Sequence, residues 1–252
     1  MLSIIRIEGS MELVNVVCLY WGNKYKTEYV KVLHSMVKRH LTIPHKFIIY
    51  TDHVKMHKLV PGDNVEIRKL PFHTYQGWWN KLTLFSPEAN LEGTCLYFDL
   101  DVVILDNIDC FFTYNNKNSD HFVGMNDFNK TTKLFNSSVM RFNNKIMTEY
   151  VWKEYLKDKK MFDRLQGDQN VISMTIKQTP YYSSFPNEWT FSAKWYDRDN
   201  PRFHRERWTF QKRPDSKVAI FHGKPNPHEL VDLHPHESYD KNTIEWVKNH
   251  WK

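Results

Sequence analysis

The stretch Cys95-Leu96-Tyr97-Phe98-Asp99-Leu100-Asp101-Val102-Val103-Ile104-Leu105 places two carboxylates inside the most apolar run of the chain. The run predicts a buried strand over residues 94–105, and alternation along a strand would put Asp99 and Asp101 on one side, roughly 6–7 Å apart at Cα. Two acids in apolar surroundings require a shared proton, a neighbouring Lys or Arg, or a metal ion. Oxygen ligands of this kind suit Mg²⁺ or Mn²⁺. Alternatively, the strand ends here and both acids are solvated or cap a helix.

The preceding segments predict an α/β fold. Apolar runs indicate strands, and apolar residues at helical spacing indicate helices. The predicted strands are residues 13–20, 46–50 and 65–70, and the predicted helices are residues 25–40 and 78–85. This alternation predicts a Rossmann-like, mostly parallel sheet with helices on both faces. Residues 20–23, 51–52 and 99–101 would then form one ligand-binding rim at the carboxyl ends of the strands.

The pattern is looser after about residue 120. It predicts strands at 122–125, 134–142 and 217–221, and helices at 145–156, 168–177 and 242–251. No repeat, low-complexity tract or clear linker divides the chain. The sequence therefore predicts a single domain over residues 1–252, with one half at about 12–110 and a second at about 111–252.

The composition indicates an ordinary globular protein with an unusual share of rings. Of the 252 residues, 41% are hydrophobic, 25% are charged and 15% are aromatic. The rings could form an aromatic-rich core or line a cleft, which would suit the flat faces of sugars and bases. The formal charge of +6 favours an anionic ligand or partner.

Much of the positive charge lies in residues 194–213, which hold seven Lys or Arg, three acids and five interleaved rings. This basic aromatic segment is either a solvated amphipathic surface or a groove for an anionic acceptor, with charges for phosphates and rings for bases or sugars.

Cysteine usage and the N-terminus bear on localisation. Cys18, Cys95 and Cys110 have no metal-binding spacing and are expected to be buried free thiols in a reducing compartment. No signal peptide precedes the first strand, and no run approaches the ~18 apolar residues of a membrane span. A cytoplasmic protein is expected, with Met1 or Met11 as the native start.

An Asp-x-Asp pair at the end of a strand, after a Rossmann-like half, is similar to the signature of the GT-A glycosyltransferases. More narrowly, the sequence resembles the family of glycogenin and the lipopolysaccharide galactosyltransferases, family eight of the sequence classification. Four further stretches resemble that family's motifs in the same order: residues 79–82, 135–143, 167–170 and 221–225. The chain departs from the family in two of them, since Ser138 stands in place of the usual glycine and the last motif is shortened.

The resemblance implies a metal site beside a diphosphate site. Asp99 would contact the metal and the donor sugar, while Asp101 and His222 would be metal ligands. Mn²⁺ accepts an imidazole beside oxygen ligands more readily than Mg²⁺ does. Gly223 would let the backbone approach a phosphate, and Lys224 would add a charge for it. A structural or solvated histidine is the plainer interpretation of His222.

The resemblance also implies residues for the sugar and the nucleotide. Asp168 and Gln169 would lie under the sugar ring, where either could stabilise an oxocarbenium-like centre in a reaction that retains anomeric configuration. Asp168 could instead only N-cap its helix. Asn136 and Ser138 would hydrogen-bond sugar or ribose hydroxyls. Lys81 is a further candidate contact of the nucleotide-sugar. The residues expected to frame the base are Tyr20, Trp21, Tyr25 and Asp52. An aromatic ring after the first strand more often packs in the protein core than stacks on a base.

The implied activity is metal-dependent hexosyl or pentosyl transfer from a nucleotide-sugar, with UDP expected from the resemblance. The acceptor would be a glycan, a lipopolysaccharide core or a nucleic acid, including modified DNA bases bound by the basic aromatic segment. Residues 98–103 also resemble the nucleophile motif of haloacid-dehalogenase-type phosphatases, although that motif normally ends the first strand. A non-catalytic binding protein is the remaining alternative.

Overall fold

The computed structural model describes residues 14–53, 60–115, 120–129, 131–193, 215–232 and 241–252. The basic aromatic segment and both candidate start residues, Met1 and Met11, lie outside these ranges. No helix within them is long and apolar enough to cross a membrane.

Within the described ranges, ten strands form two sheets. They are β1 Val14–Tyr20, β2 Lys46–Thr51, β3 Val65–Lys69, β4 Thr94–Phe98, β5 Val102–Ile104, β6 Phe122–Asn126, β7 Phe135–Asn143, β8 Tyr182–Ser184, β9 Thr190–Ser192 and β10 Val218–Ile220. The larger sheet has the order β3-β2-β1-β4-β7-β6-β8. Its first four strands are parallel, whereas β7 is antiparallel to both β4 and β6. The predicted α/β class with a mostly parallel sheet is confirmed.

The α-helices are α1 Glu28–His40, α2 Asp109–Thr113, α3 Asn144–Met147, α4 Lys153–Lys157, α5 Lys159–Phe162, α6 Asp168–Ile176, α7 Pro227–Asp232 and α8 Lys241–His250. A π-helical turn, Thr148–Trp152, joins α3 to α4, so the helix expected at 145–156 is irregular. The helix expected at 25–40 begins only at Glu28, after a turn at residues 22–25.

The segment expected as a helix at 78–85 is a 3₁₀ helix, Gly77–Phe85. Its side chains compete for backbone carbonyls: Asn80 Nδ2 donates to Gly77 O at 3.1 Å, and Thr83 Oγ1 donates to Asn80 O at 2.6 Å. Such local bonds favour short-range turns over regular α-helix.

The expected continuous strand at 94–105 is wrong, because the chain changes sheets inside it. β4 ends at Phe98 in the larger sheet, and β5 pairs antiparallel with β10 in a three-stranded sheet of order β5-β10-β9. Residues 99–101, here called the acidic turn, connect the two sheets. Strand alternation therefore does not determine where Asp99 and Asp101 point; the turn does.

Alternating residues of β1 enter two separate cores. Val16, Cys18 and Tyr20 pack with the buried face of α1. Val17 and Leu19 pack with Leu82 of the 3₁₀ helix and with α6. Both faces of the sheet are thus covered, as predicted for a sheet of this class. Ligand-binding groups are therefore expected at the carboxyl ends of its strands.

The three cysteines are free thiols, but they differ in burial. Cys18 and Cys95 are buried, whereas Cys110 on α2 is only partly covered. Desolvation raises the pKa of the Cys110 thiol to about 11, so this thiol stays protonated and unreactive at neutral pH.

Candidate active site

A cavity of about 550 Å³ opens where β1 and β4 end. The residues predicted from the sequence that line it are Trp21, Tyr25, Lys81, Asp99, Asp101, Asn136, Ser138, Asp168, Gln169, His222 and Gly223. The remaining predicted residues, Tyr20, Asp52 and Lys224, are not part of its wall. Elements separated by up to 200 residues thus meet around one space, as the edge of an α/β sheet allows.

The acidic turn is held from both sides by tyrosines and by backbone. Tyr97 Oη donates to Asp99 Oδ1 and Tyr25 Oη donates to Asp101 Oδ2, each at 2.7 Å. The Asp99 amide donates to Ser138 O at 2.9 Å, which ties the turn to β7. These bonds fix the two carboxylates before any ligand binds.

Burial and mutual repulsion perturb the titration of this pair. Burial and, after it, the neighbouring Asp99 carboxylate raise the pKa of Asp101 from 3.8 to about 6, and Tyr25 and the nearby lysines offset only part of this rise. Burial together with Asp101 also raises the pKa of Tyr25, which therefore remains a hydrogen-bond donor. Strong perturbation of a carboxylate that lines a cavity is typical of functional sites.

Lys81 lies at the centre of a buried charge cluster. Its Nζ is 3.0 Å from Asp99 Oδ1 and 3.4 Å from Asp168 Oδ2. It also donates to Ser137 O at 3.1 Å and to Ser137 Oγ at 2.9 Å. Burial alone would lower the pKa of Lys81, but Asp168 and Asp99 outweigh it and raise that pKa above its usual value. One ammonium group therefore bridges the acidic turn and the start of α6.

Asp168 is the first residue of α6, and the N-cap position belongs to Gly167. Asp168 therefore does not cap the helix, although the positive end of the helix dipole favours its charge. Its side chain is buried, and its Oδ2 accepts no hydrogen bond. A buried carboxylate oxygen with spare accepting capacity beside a cavity is suited to a ligand hydroxyl.

The His and acidic side chains at the cavity bear on the predicted metal site. In the ranges that the structure describes, no three His, Cys, Asp or Glu side chains are grouped closely enough to hold a metal ion. His222 lines the cavity, but its Nε2 lies 2.6 Å from Ser192 Oγ and its ring stacks on Phe128. The acid pair itself suits a divalent cation, because a cation would relieve the repulsion between the buried Asp101 and the partly buried Asp99 carboxylates.

Two of the residues expected to frame the base act from behind the wall. Tyr20 is buried and stacks on His53, with ring centroids 4.4 Å apart. Both carboxylate oxygens of Asp52 accept from the Gly22 amide, at 3.1 and 3.2 Å. Gly22 has a φ of 58°, a conformation that glycine adopts without strain. Tyr20 and Asp52 therefore shape the turn that presents Trp21 to the cavity.

Residues 222–225, here called the C-terminal turn, lie beside the acidic turn. The Phe221 amide donates to Asp101 O at 3.1 Å, which continues the pairing of β10 with β5. Lys224 is directed away from the cavity wall: its side chain is 85% exposed and lies 3.7 Å from Glu229. The C-terminal turn is thus anchored through Phe221, whereas the ammonium group of Lys224 lies in solvent.

The cavity also has walls that the sequence analysis missed. Tyr97, Ser137, Lys24 and Gln166 belong to them, and so does Trp78. The position of Tyr97 near the carboxyl end of β4 was a signal for it, because ligands are expected at that edge of the sheet. No sequence signal distinguished Trp78 from the adjacent Trp79.

Comparison with solved structures assigns the fold. An active-site mutant of LgtC superposes with a TM-score of 0.66 at 12% identity over 93% of this chain and 95% of that one. The glycosyltransferase GlyE of Streptococcus pneumoniae TIGR4 gives 0.67 at 15% identity over 96% of this chain. The bifunctional glycosyltransferase WbbM gives 0.63 at 14% identity over 95% of this chain. This chain covers only 62% of GlyE and 50% of WbbM.

The protein thus has the GT-A fold found in glycosyltransferases. Among these structures, the galactosyltransferase LgtC is matched almost from end to end, also in its complex with donor and acceptor sugar analogues, with a TM-score of 0.61. No protein-family profile and no curated protein matches the sequence.

Proposed function

We propose that the protein is a metal-dependent glycosyltransferase that moves a sugar from a nucleotide-sugar, with UDP as the nucleotide, to an acceptor hydroxyl. One observation carries the proposal: the acid pair, Lys81 and Asp168 face a single cavity at the carboxyl edge of a GT-A sheet. Its volume of about 550 Å³ is within the range that suits a small organic ligand.

In this proposal Asp99 and Asp101 would hold Mn²⁺ or Mg²⁺ at the place where the donor diphosphate binds. Such a cation, when bound, neutralises the diphosphate and stabilises the nucleoside diphosphate as it leaves. The chain's own contribution is to fix both carboxylates: Tyr25 and Tyr97 orient one oxygen of each acid at 2.7 Å. His222 is assigned as a third ligand because it lines the same cavity, and Gly223 and Lys224 are assigned to the phosphates.

Asp168 and Gln169 are assigned to the sugar. The Oδ2 of Asp168 supports this assignment: it accepts no hydrogen bond, although Lys81 Nζ lies 3.4 Å away, so it can accept a sugar hydroxyl or stabilise positive charge at the anomeric carbon. Lys81 is assigned as the positioning residue that holds Asp168 and Asp99 at a fixed separation. Asn136 and Ser138 are assigned to sugar or ribose hydroxyls, and Trp21 and Tyr25 to the base.

The direct test is hydrolysis of a panel of nucleotide-sugars by the full chain without an acceptor. We expect slow release of nucleoside diphosphate from one UDP-sugar with Mn²⁺, and none with EDTA. Calorimetry with UDP should show binding that depends on the metal. Equal UDP affinity with Mn²⁺ and with EDTA would contradict the metal assignment, and no binding of any nucleotide would contradict the proposal as a whole.

The alternatives have less support. A haloacid-dehalogenase-type phosphatase would place its nucleophile on the first strand, whereas Asp99 follows β4 and forms an ion pair with Lys81. Turnover of para-nitrophenyl phosphate without any sugar donor would favour that alternative. Transfer to DNA bases depends on the basic aromatic segment, which lies outside the described residues, and stays a prediction.

A further inference from the structure

Trp78 is the most exposed large hydrophobic side chain in the described ranges, with 60% of its surface open. Most exposed apolar residues of a protein need no explanation, but this ring lines the cavity described above. A large ring left open at the wall of a ligand cavity is a surface available for stacking.

The geometry of the 3₁₀ helix explains why the ring faces the cavity. Residues three apart eclipse one another in such a helix, so Trp78 lies on the same face as Lys81, which reaches Asp99 and Asp168. The next residue, Trp79, points elsewhere: it packs against the core, with its ring 6.4 Å from that of Tyr155. Two adjacent tryptophans therefore have different environments, and only Trp78 lines the cavity.

The ring of Trp78 is also supported from behind. It packs against Gly167, where an added Cβ would lie only 2.7 Å from Trp78 Nε1 and 2.9 Å from Cδ1. Gly167 has an extended φ of 172°, which any residue can adopt. The glycine is therefore needed for the space it leaves to the indole rather than for its backbone conformation.

The groups around the ring indicate what it would stack against. Gln166, Gln169 and Asn170 line the same wall, and their amides can both donate and accept. The described cavity wall holds two lysines, Lys24 and Lys81, and Lys81 is already paired with two carboxylates. An apolar ring face in a cavity wall that also carries these neutral amides matches a neutral sugar ring, which has C–H groups on its faces and hydroxyls at its rim.

We propose that Trp78 is the stacking platform for a neutral saccharide ring of the acceptor. The proposal rests on the proposed function, because it assigns the acceptor side of the same cavity. The position agrees with this assignment: Trp78 packs on Gly167, next to Asp168, which is assigned to the donor sugar. Trp21, which is assigned to the base, follows β1, whereas α6 lies against β7, two strands away.

The test uses the full chain with UDP and Mn²⁺ and a probe panel of lactose, maltose, cellobiose and chitobiose, observed by saturation-transfer NMR. We expect at least one disaccharide to receive saturation on the C–H groups of one ring face. The Trp78→Ala variant should bind that disaccharide about tenfold more weakly than the wild type, as expected for loss of an aromatic platform. Trp78→Tyr should recover part of that loss. Gly167→Ala should also weaken the disaccharide, because the new methyl group displaces the ring.

Trp79→Phe is the matched control, since Trp79 does not line the cavity, and it should leave disaccharide binding within about twofold of the wild type. Unchanged disaccharide affinity in Trp78→Ala would overturn the inference, and so would wild-type protein that binds UDP but none of the four disaccharides. Wild-type protein that fails to bind UDP would instead overturn the proposed function, so the two failures are distinguishable.

Discussion

The acidic turn and the C-terminal turn border the same cavity but are held in different ways. Asp99 and Asp101 are anchored by Tyr25, Tyr97 and Lys81, and Asp101 is buried. In the C-terminal turn, the side chain of Lys224 is 85% exposed and lies 3.7 Å from Glu229. The acidic turn is thus held in place in advance, whereas the Lys224 ammonium group of the C-terminal turn lies in solvent.

This difference predicts how much each turn contributes to the affinity for a ligand. Preorganised carboxylates lose little freedom when they bind a cation, so the acidic turn is expected to determine affinity. An exposed lysine must leave solvent and its partner before it can contact a phosphate, so its net contribution is smaller. Four predictions test this asymmetry.

The largest effect is expected for Lys81→Met. The substitution leaves the buried Asp168 carboxylate and the partly buried Asp99 carboxylate without their shared cation. Removing one partner of a buried ion pair costs about 3–5 kcal/mol, and donor hydrolysis should fall by about a thousandfold. Urea unfolding and the nucleotide-sugar assay would measure the two effects.

Lys46→Met is the control for this substitution, because Lys46 pairs with Glu66 at 3.4 Å on the surface. Its effect should stay below about 1 kcal/mol. Comparable losses in both variants would contradict a special role for the buried cluster.

The second prediction concerns Asp101→Asn, which keeps the shape of the side chain but removes its charge. Metal-dependent UDP affinity should fall by about a hundredfold, since one of two carboxylate ligands is lost, while the protein stays folded. Asp106→Asn is the matched control, because Asp106 is a half-exposed acid paired with Lys217 at 2.7 Å. Calorimetric titration of each variant with UDP in the presence of Mn²⁺ measures these affinities. Unchanged UDP affinity in Asp101→Asn would refute the metal assignment.

The third prediction is a pH dependence. Because the pKa of Asp101 is raised from 3.8 to about 6, the folded apo protein binds this proton more tightly than the unfolded chain does. The resulting stabilisation is complete below pH 3.8 and is lost as the pH rises through about 6. Thermal unfolding in EDTA should show this loss in the wild type, and Asp101→Asn should remove it.

Metal binding should show the opposite trend. One pH unit below its pKa, only about one in ten Asp101 side chains is ionised, so Mn²⁺ affinity at pH 5 should be about tenfold weaker than above pH 7. Calorimetric titrations at the two pH values measure the ratio. An affinity that does not change with pH would show that Asp101 is not a ligand.

The smallest effect is expected for Lys224→Ala. Donor affinity should fall by about threefold, because an exposed point charge contributes little to binding. Lys31→Ala, on the exposed side of α1, is the control and should have no effect. A loss as large as that of Asp101→Asn would mean that the C-terminal turn closes fully on the diphosphate and that the asymmetry disappears when the donor is bound.

The sequence predicted the sheet well because buried parallel strands are continuous apolar runs. The strands β1, β2 and β4 all lie within such runs, and the carboxyl ends of β1 and β4 carry Trp21 and Asp99 to the cavity. The prediction of one continuous strand failed at residues 99–101, because the run of apolar residues continues through the point where the chain changes sheets. Hydrophobicity reports burial, but not which sheet a residue is buried in.

Most of the candidate site residues could be found by motif, but not their partners. The ion pairs from Lys81 to Asp99 and Asp168 join residues 18 and 87 positions apart, which no local pattern encodes. The orientation of Trp78 was equally inaccessible, since it depends on a 3₁₀ rather than an α-helical path through residues 77–85. Long-range pairing and local helix type are decided by tertiary packing.

The three-stranded sheet has a consequence for how this protein could diversify. β9 and β10 are held in fixed register by their own pairing, and β5 fixes β10 to the acidic turn. Substitutions in these three strands that keep the register would leave His222 beside Asp101, whereas a slip of one residue would turn every side chain of β10 to the other face of the sheet. The protein can therefore change the composition of this sheet, but not its register, without altering the edge of the cavity that His222 lines.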